Sequence, residues 1–511
     1  MKFYTIEDQL AARIAECRIP VRVQIAIDFT GTGTYEPIPE TDILELTVTS
    51  LREMTGGTVN KGTLILDNTT GSWCPRAFDT YRPAYNKYNG EMQNDGLGNL
   101  RPGREVRVSF TCGKDIPYVK RFTCYVDDSG FQQTATGYTG RVCTVKLVDL
   151  SETLKNTDRT KNWKENAVLV HSNICDKEFP GTSIVHQIAA RAGLSASDID
   201  CSTIREYVAY VRLTRSAWTE LSELAATYNA HLEAAYEKPL VFVESTDPVQ
   251  YTFDHTNATH IRMYDLTAQY RNCIRMRWTR YGEYERQELW RYTDPPILYT
   301  ANLTPTFPFV AEGEKRDIEK AGYEAPYTVR PPGGKPIPVV YAENIDTPEQ
   351  FEARLRVNGP ALEVETYDVT TNRDKAVIRL NAPADTVLLS ATIQGDAIAA
   401  EHNFSHYLSD DAEIALNGTQ AVNITSPYLS ETYRDGKPYY TVYARRLLDK
   451  LKRKRKGFFV KTHRGLFHAR VGSFVRVALA DGLVSERAEI VQMELRYRAR
   501  EAFVATFFLE E

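Results

Sequence analysis

The sequence predicts a multidomain, mainly β protein with a small α/β module. It further predicts two related β-barrel, tube-like domains in the N- and C-terminal parts and an inserted β-sandwich. Three observations lead to this class. Short runs of alternating apolar and polar residues recur along the chain, aromatic residues are abundant, with 30 Tyr and 20 Phe, and similar groups of runs lie near both ends. Alternation is the pattern of a half-buried strand, and rings fit its pleated surface.

The clearest alternating runs lie between residues 100 and 154. Three runs separated by turns predict an antiparallel meander with one apolar face. Further strands are predicted before it, and together they form a first β-domain. The meander runs cover 104–110, 121–128 and 142–150, and the earlier strands cover 21–27, 43–48 and 62–68.

The same pattern returns near the C-terminus, after a predicted helix over 439–451. The runs 472–477, 486–494 and 503–509 again alternate and are again separated by turn residues. Related groups of strands at the two ends of one chain indicate an internal repeat, which constrains the architecture more than any single motif does.

The middle of the chain changes period. Helical spacing begins at residue 182 and again around 218–228, with a strand at 207–213 and a hairpin over 231–243, so a small α/β module is expected. Residues 273–278 and 287–292 are predicted to pair as two strands. A proline-rich connection and short alternating runs then predict the β-sandwich.

The length of 511 residues favours roughly three or four domains. We expect a first β-barrel domain over 1–160, the α/β module over 161–250, strands that continue the core over 251–300, an inserted β-sandwich or decoration domain over 301–410, and a second β-barrel domain with its preceding helix over 411–511.

Composition excludes several classes of protein. Lys and Arg total 62 against 67 Asp and Glu, so the chain as a whole does not have the charge of a nucleic-acid-binding protein. Eight cysteines without a Cys-x-x-Cys pair favour free, buried thiols in a reducing cytosol over a disulfide or zinc framework. The first residues do not have the pattern of a secretory signal, and no membrane-spanning segment is expected.

No motif predicts an active site, so the chain is not expected to be an enzyme, and no cofactor or metal is expected. Cys175 or Cys201 would need a partnered base to act as a nucleophile. His402 and His406 are four residues apart, but composition predicts a loop there, which disfavours a metal pair.

Two groups of residues are candidate contact surfaces. A predicted amphipathic helix over 5–18 places Ile6, Leu10 and Ile14 on one stripe, which either packs on its own barrel or meets another subunit. The second group is a basic run at the end of the helix over 439–451. It suits a helix C-terminus or an acidic partner, or, as a minor hypothesis, DNA passing through a channel. The run consists of Lys450, Lys452, Arg453, Lys454, Arg455 and Lys456.

The order of several short motifs resembles that of the phage baseplate hub, or tail-tip hub, proteins. The resemblance covers about 1–290 and 410–511, and it does not include 295–400. It is carried by Leu100-Arg101-Pro102-Gly103, Tyr125-Val126-Asp127-Asp128, Leu147-Val148-Asp149-Leu150, Trp218-Thr219-Glu220-Leu221-Ser222-Glu223-Leu224-Ala225, Asn423-Ile424-Thr425-Ser426-Pro427-Tyr428 and Gly472-Ser473-Phe474-Val475-Arg476-Val477.

The resemblance implies a structural hub of the virion, made in the host cytoplasm. A homotrimer with two barrels per subunit would form a pseudo-sixfold ring that joins the tail tube and distal tail proteins to a central spike or fibre. A tape-measure protein and DNA would pass through the lumen without sequence-specific binding. The alternative is a receptor- or carbohydrate-binding tail protein, because residues 75–99 are rich in tyrosine, whose rings stack on sugars.

Overall fold

The computed structural model is mainly β with few helices among the residues it describes, which confirms the predicted fold class. It describes residues 14, 21–29, 31–53, 56–69, 73, 84–85, 92–93, 103–112, 116–136, 140–155, 167–235, 239–244, 248–292, 297–299, 323–369, 374–381, 384–429, 433–434, 437–453 and 456–511.

The strands are numbered in chain order. The first sixteen are β1 (Val21–Ile27), β2 (Glu36–Pro37), β3 (Ile43–Arg52), β4 (Gly57–Asp67), β5 (Ala84–Tyr85), β6 (Met92–Gln93), β7 (Glu105–Cys112), β8 (Val119–Thr136), β9 (Gly140–Val148), β10 (Ala167–Cys175), β11 (Ile199–Cys201), β12 (Ile204–Leu213), β13 (Ala230–Glu233), β14 (Leu240–Glu244), β15 (Val249–Phe253) and β16 (His260–Asp265).

The remaining strands are β17 (Cys273–Tyr292), β18 (Ile297–Tyr299), β19 (Tyr323–Pro326), β20 (Thr328–Val329), β21 (Ile337–Glu343), β22 (Arg356–Asn358), β23 (Glu363–Asp368), β24 (Lys375–Asn381), β25 (Thr386–Ser409), β26 (Ala421–Thr425), β27 (Tyr433–Arg434), β28 (Lys437–Pro438), β29 (Lys456–Thr462), β30 (Phe474–Ala478), β31 (Val484–Arg498) and β32 (Val504–Glu510).

The α-helices of the described residues are short. None of them is long and apolar enough to cross a membrane. They are α1 (Leu150–Lys155), α2 (Ile184–Arg191), α3 (Ala217–Tyr228), α4 (Pro348–Glu352), α5 (Asp411–Asn417) and α6 (Tyr439–Leu451).

The chain divides into two compact units. Unit 1 contains residues 1–208, 212–275 and 406–511, and unit 2 contains 209–211 and 276–405. Unit 2 overlaps the inserted domain expected over 301–410 and begins earlier in the chain. The boundary at 275/276 falls within β17, and the boundary at 405/406 falls within β25.

A 16-stranded sheet forms the frame of unit 1. Its main path runs β16-β29-β32-β31-β3-β4-β9-β8-β7-β1-β2. The predicted N-terminal meander is β7-β8-β9, and the predicted C-terminal meander is β30-β31-β32; both are antiparallel. Strand alternation therefore identified both meanders correctly. Whether each set of strands closes into a barrel stays a prediction.

One hydrophobic core lies beneath both ends of the chain. It contains Val108 and Phe110 from β7 together with Leu495 from β31, Phe507 from β32 and Phe467 from the loop before β30, all at most 1% exposed. Because the two strand sets share this core, neither buries its apolar face without the other.

The α/β module has the predicted elements. Helix α3 begins after Ser216, whose side chain accepts from the Thr219 N–H, and ends at Asn229, which adopts a left-handed conformation with φ of 50°. Strands β13 and β14 form the predicted hairpin, and β13 also pairs in parallel with β4 of the large sheet. The module is thus joined to the sheet by backbone hydrogen bonds.

Unit 2 consists mainly of two sheets that share a second core. A larger sheet includes β20-β21-β25-β17, and a three-stranded sheet has the order β19-β24-β23. The core contains Leu289 from β17, Ile378 from β24 and Ile393 from β25. Two sheets with one core between them are the arrangement expected from the short alternating runs.

Two local expectations are wrong. Residues 273–278 and 287–292 are not separate paired strands but parts of the single strand β17. The segment between them contains one glycine and no tight two-residue turn signal, and β17 continues through it because it pairs with the long strand β25. His402 and His406 lie within β25 rather than in a loop. Composition misled there because the partner strand, β17, is distant in sequence.

Candidate functional site

The first feature of the candidate site is the pairing of β3 with β31, which we call the seam. These antiparallel strands run from the Glu45–Arg498 pair to the Leu51–Gln492 pair without interruption. The seam hydrogen-bonds a strand from the first tenth of the chain to one from the last tenth. It converts the N- and C-terminal strand sets into one continuous sheet.

The side of this sheet opposite the core is mainly polar, with the exposed Leu51 at one end of β3, and we call it the polar face. Alternate residues on neighbouring strands stand side by side there, because side chains alternate between the two faces of a strand. One row across β9, β4, β3 and β31 is Lys146, Thr63, Thr47 and Arg496, and a second row across β4, β3, β31 and β32 is Lys61, Thr49, Glu494 and Thr506. The face therefore carries hydroxyl groups and charges of both signs.

Ion pairs reinforce the seam on the polar face. The Glu45 carboxylate accepts hydrogen bonds from Arg496 Nε at 2.9 Å and Arg498 Nε at 2.7 Å. The Glu45 hydrogen bond raises the pKa of Arg498. Just beyond the Leu51–Gln492 end of the seam, Glu489 pairs with Arg52 and with Lys450. Of these six side chains only Glu489 is buried, and the other five are partly open to solvent. The two Glu45 pairs therefore each make a small contribution to stability.

A second connection between the chain ends lies inside the core. The guanidinium of Arg121 on β8 is 2% exposed and donates to the carbonyls of Phe467, at 3.0 Å, and Ala469, at 2.9 Å. The Phe110 ring stacks on Phe467 with a centroid distance of 5.6 Å. We call Arg121, Phe110 and residues 467–469 the buried anchor. It fixes the loop before β30 against the N-terminal strands.

The imidazole of His468 belongs to the buried anchor. Burial lowers its pKa to about 4, and the positive charge of Arg121 acts in the same direction. His468 is therefore neutral at pH 7, which avoids a second buried cation beside the guanidinium.

Helix α3 provides a third connection. The Glu220 carboxylate, 1% exposed, accepts from the Tyr428 hydroxyl at 2.7 Å and from Arg215 Nη2 at 2.8 Å. The Tyr228 hydroxyl donates to the Tyr428 carbonyl at 2.8 Å. Burial, together with the negative charge of Glu220, raises the pKa of Tyr428. Two motifs used for the resemblance, around 218–225 and 423–428, are thus joined in space.

The candidate contact helix is only partly described. Ile14 is fully buried in the core of its own chain, so this side chain packs within the chain. Ile6 and Leu10 lie outside the described residues, and an inter-subunit role for them stays a prediction. The Leu100-Arg101-Pro102 turn and the tyrosine-rich segment 75–99 also lie largely outside those residues.

The basic run begins at the end of α6, as expected, and two of its cations have acidic partners in the same chain. Lys450 Nζ lies 2.8 Å from Glu489, and Lys452 Nζ lies 3.2 Å from both Asp410 and Asp449. Arg453 is exposed, Lys456 begins β29, and Lys454 and Arg455 are not described. A role in facing DNA or another protein stays a prediction for the run.

The structure brings together three residues that sequence spacing did not connect. Cys175, His186 and Cys201 are all buried, and their potential metal-ligand atoms lie within 4.8 Å of one another. Among the described residues, these three form the one group of three or more His, Cys, Asp or Glu side chains that could hold a metal ion. The residues are separated by unequal intervals, so the sequence offered no motif for them. The six described cysteines are free and buried, as expected.

The sequence matches no protein-family model and no curated protein. Among solved structures, a 43 kDa tail protein of prophage MuSo2 from Shewanella oneidensis has 9% identity and a TM-score of 0.45, covering 96% of this chain and 98% of that one. A tail protein from Neisseria meningitidis has 8% identity and a TM-score of 0.47, covering 96% and 97%. The chain is similar to phage tail proteins.

A third similar structure is an Escherichia coli component of the type VI secretion system that itself resembles bacteriophage T4 tail proteins. It has 7% identity and a TM-score of 0.38, covering 95% of this chain and 76% of that one. These proteins agree with the resemblance noted in the sequence. These similarities concern the fold alone.

Proposed function

We propose that this chain is a non-enzymatic structural hub of a phage tail tip or baseplate, located in the virion. Three copies form a ring with pseudo-sixfold symmetry that joins the tail tube to a central spike or fibre. The observation that carries the proposal is the seam, which joins two strand sets, each with its own antiparallel meander, within one chain. Three chains then supply six strand sets, so a threefold assembly meets a sixfold tube.

The polar face is suited to the wall of the channel. Its rows of threonine, lysine, arginine and glutamate cross the seam, so the surface continues from one strand set to the other. Charges of both signs give DNA no uniformly cationic surface on which to be retained. A wall of this kind favours passage of DNA or a tape-measure protein over sequence-specific binding.

Unit 2 is the part of the subunit that we propose contacts other tail proteins. Unit 2 has its own core, and the long strands β17 and β25 contain its first and last residues in the segment 276–405. A separate core suits a domain that contacts other distal tail proteins. The seam, the buried anchor and α3 hold the strand sets together within each subunit. Unit 1 can therefore enter the ring as one preformed body.

The test combines the mass of the purified chain, measured by light scattering, with negative-stain class averages. We expect a trimer, seen as a ring with a central channel and six inner lobes. If the chain alone is monomeric, the same measurements are repeated with its tail-tube protein. A monomer that does not join the tube protein, and that instead binds host cells or an oligosaccharide, contradicts the hub and supports the receptor-binding alternative.

A further inference from the structure

The strongest feature outside the proposed hub function is the thiol–imidazole cluster of Cys175, His186 and Cys201. The three residues come from three different elements of the α/β module: the end of β10, the first turn of α2 and the end of β11. Their exposed fractions are 0%, 6% and 1%. Neither the seam nor the polar face uses any of them.

The surrounding structure holds each residue in place. The Ser183 side chain caps α2 and lies 2.8 Å from His186 Nδ1, which orients the ring. Cys201 is fixed by parallel pairing of β11 with β14, opposite Phe242. Asn173, two positions before Cys175, forms an isolated parallel β-bridge with Ser183. The three donor groups thus meet on a supported backbone rather than on loose loops.

We propose that Cys175, His186 and Cys201 bind one Zn²⁺ ion. Thiolate sulfur and imidazole nitrogen are the donors that zinc prefers, and two Cys with one His is an established ligand combination for it. Two sulfurs at about 2.3 Å from a tetrahedral zinc lie roughly 3.8 Å apart. The observed separations, all within 4.8 Å, need a movement of about 1 Å or less to reach this geometry.

Charge also favours the ion. Binding releases the two thiol protons, and the two thiolates formed then balance the two positive charges of zinc, so no net charge is buried. A disulfide between Cys175 and Cys201 would satisfy both sulfurs but would leave the convergence of His186 unexplained. Three protein ligands leave the fourth tetrahedral position to water.

The ion would fasten β10, α2 and β11 to one another. Metal ligation that joins elements separated in sequence adds its binding free energy to the stability of the folded module. The role proposed for zinc is to hold these three elements together, and it is independent of whether three chains form a ring.

Zinc content decides the proposal. The full chain is purified from cytosol under reducing conditions without chelator, and its metals are measured by mass spectrometry. We expect one zinc per chain, lost in Cys175→Ala and Cys201→Ala. The matched control is Cys124→Ala, which removes a buried thiol outside the cluster and should retain the ion.

A cobalt titration of the metal-free wild-type chain keeps the test valid if a variant fails to fold. We expect one equivalent of Co²⁺ to bind with the thiolate charge-transfer absorption of a Cys-ligated tetrahedral site, and Zn²⁺ to displace it. Two results overturn the proposal: a folded wild-type chain without zinc and without that absorption, or a Cys175–Cys201 disulfide found by peptide mapping of the reduced-prepared protein.

Discussion

The seam and the buried anchor join the same two ends of the chain by different physical means. The seam uses a ladder of backbone hydrogen bonds and ion pairs such as Glu45 with Arg496 and Arg498, which are partly open to solvent. The buried anchor uses one guanidinium and stacked rings that exclude water. The seam sets the continuity of the surface, whereas the buried side chains of the anchor contribute more to stability than the solvent-exposed ion pairs of the seam.

The largest expected effect follows from removing the ring of Phe110. Phe110→Ala should lower the free energy of unfolding of unit 1 by about 3 to 5 kcal/mol, since a fully buried ring is replaced by a cavity beside Phe467 and Phe503. Urea unfolding with peptide-resolved hydrogen exchange measures the loss. The control is Tyr118→Ala, at a ring that is 38% exposed. Equal losses in the two variants would mean that the buried anchor is not a stability element.

The next effect concerns the guanidinium. Arg121→Met keeps most of the apolar stem but leaves the carbonyls of Phe467 and Ala469 without their donor. Each unsatisfied buried group costs about 1 to 3 kcal/mol, so we expect a loss of roughly 2 to 5 kcal/mol by the same measurement. Arg22→Met is the matched control, because Arg22 makes an exposed pair with Glu40. A result in which Arg121→Met is no worse than this control contradicts the role assigned to Arg121.

The third effect is a pH dependence from His468. Its folded-state pKa of about 4 lies below the ordinary 6.5, so the unfolded chain binds more protons between these values and stability falls as pH drops from 6.5 towards 4. The contribution is about 1 to 3 kcal/mol across that window. Wild type and His468→Gln should therefore differ in the slope of stability against pH, and parallel slopes would refute the assignment.

The smallest effect is expected at the seam. Glu45→Gln removes the charge that faces Arg496 and Arg498 but leaves the backbone ladder intact, so the loss should be about 1 kcal/mol or less. The loss should shrink further in high salt, because exposed charges are screened. A loss larger than that of Arg121→Met, or one unaffected by salt, would reverse the comparison between the seam and the buried anchor.

Local sequence patterns predicted many elements because their causes are local. Alternation marked β7 and β31, and the helical spacing of 439–451 matches the bounds of α6. The helical spacing around 218–228 lies within the region of α3, whose N-cap is Ser216. These features depend on neighbours within a few residues, where side-chain direction and capping act.

Long-range contacts were beyond the same patterns. No residue near β17 in the sequence indicates that β25 pairs with it along its length. For that reason the sequence predicts two strands where the structure has one. The basic run showed that cations lie at a helix end, but not that Lys450 would meet Glu489. Likewise, Cys175, His186 and Cys201 converge only because β10, α2 and β11 pack together.

The sequence by itself determined the mainly β class, the repeated meander at both ends and most of the α/β module. Each of these depends on the periodicity of apolar side chains, which a short segment is enough to show. Only the tertiary structure decided that β3 pairs with β31, that Arg121 reaches the loop before β30, and that three dispersed ligands form one cluster. The physical reason is that strand partners and buried contacts are selected by the free energy of the whole core, to which residues hundreds of positions apart contribute together.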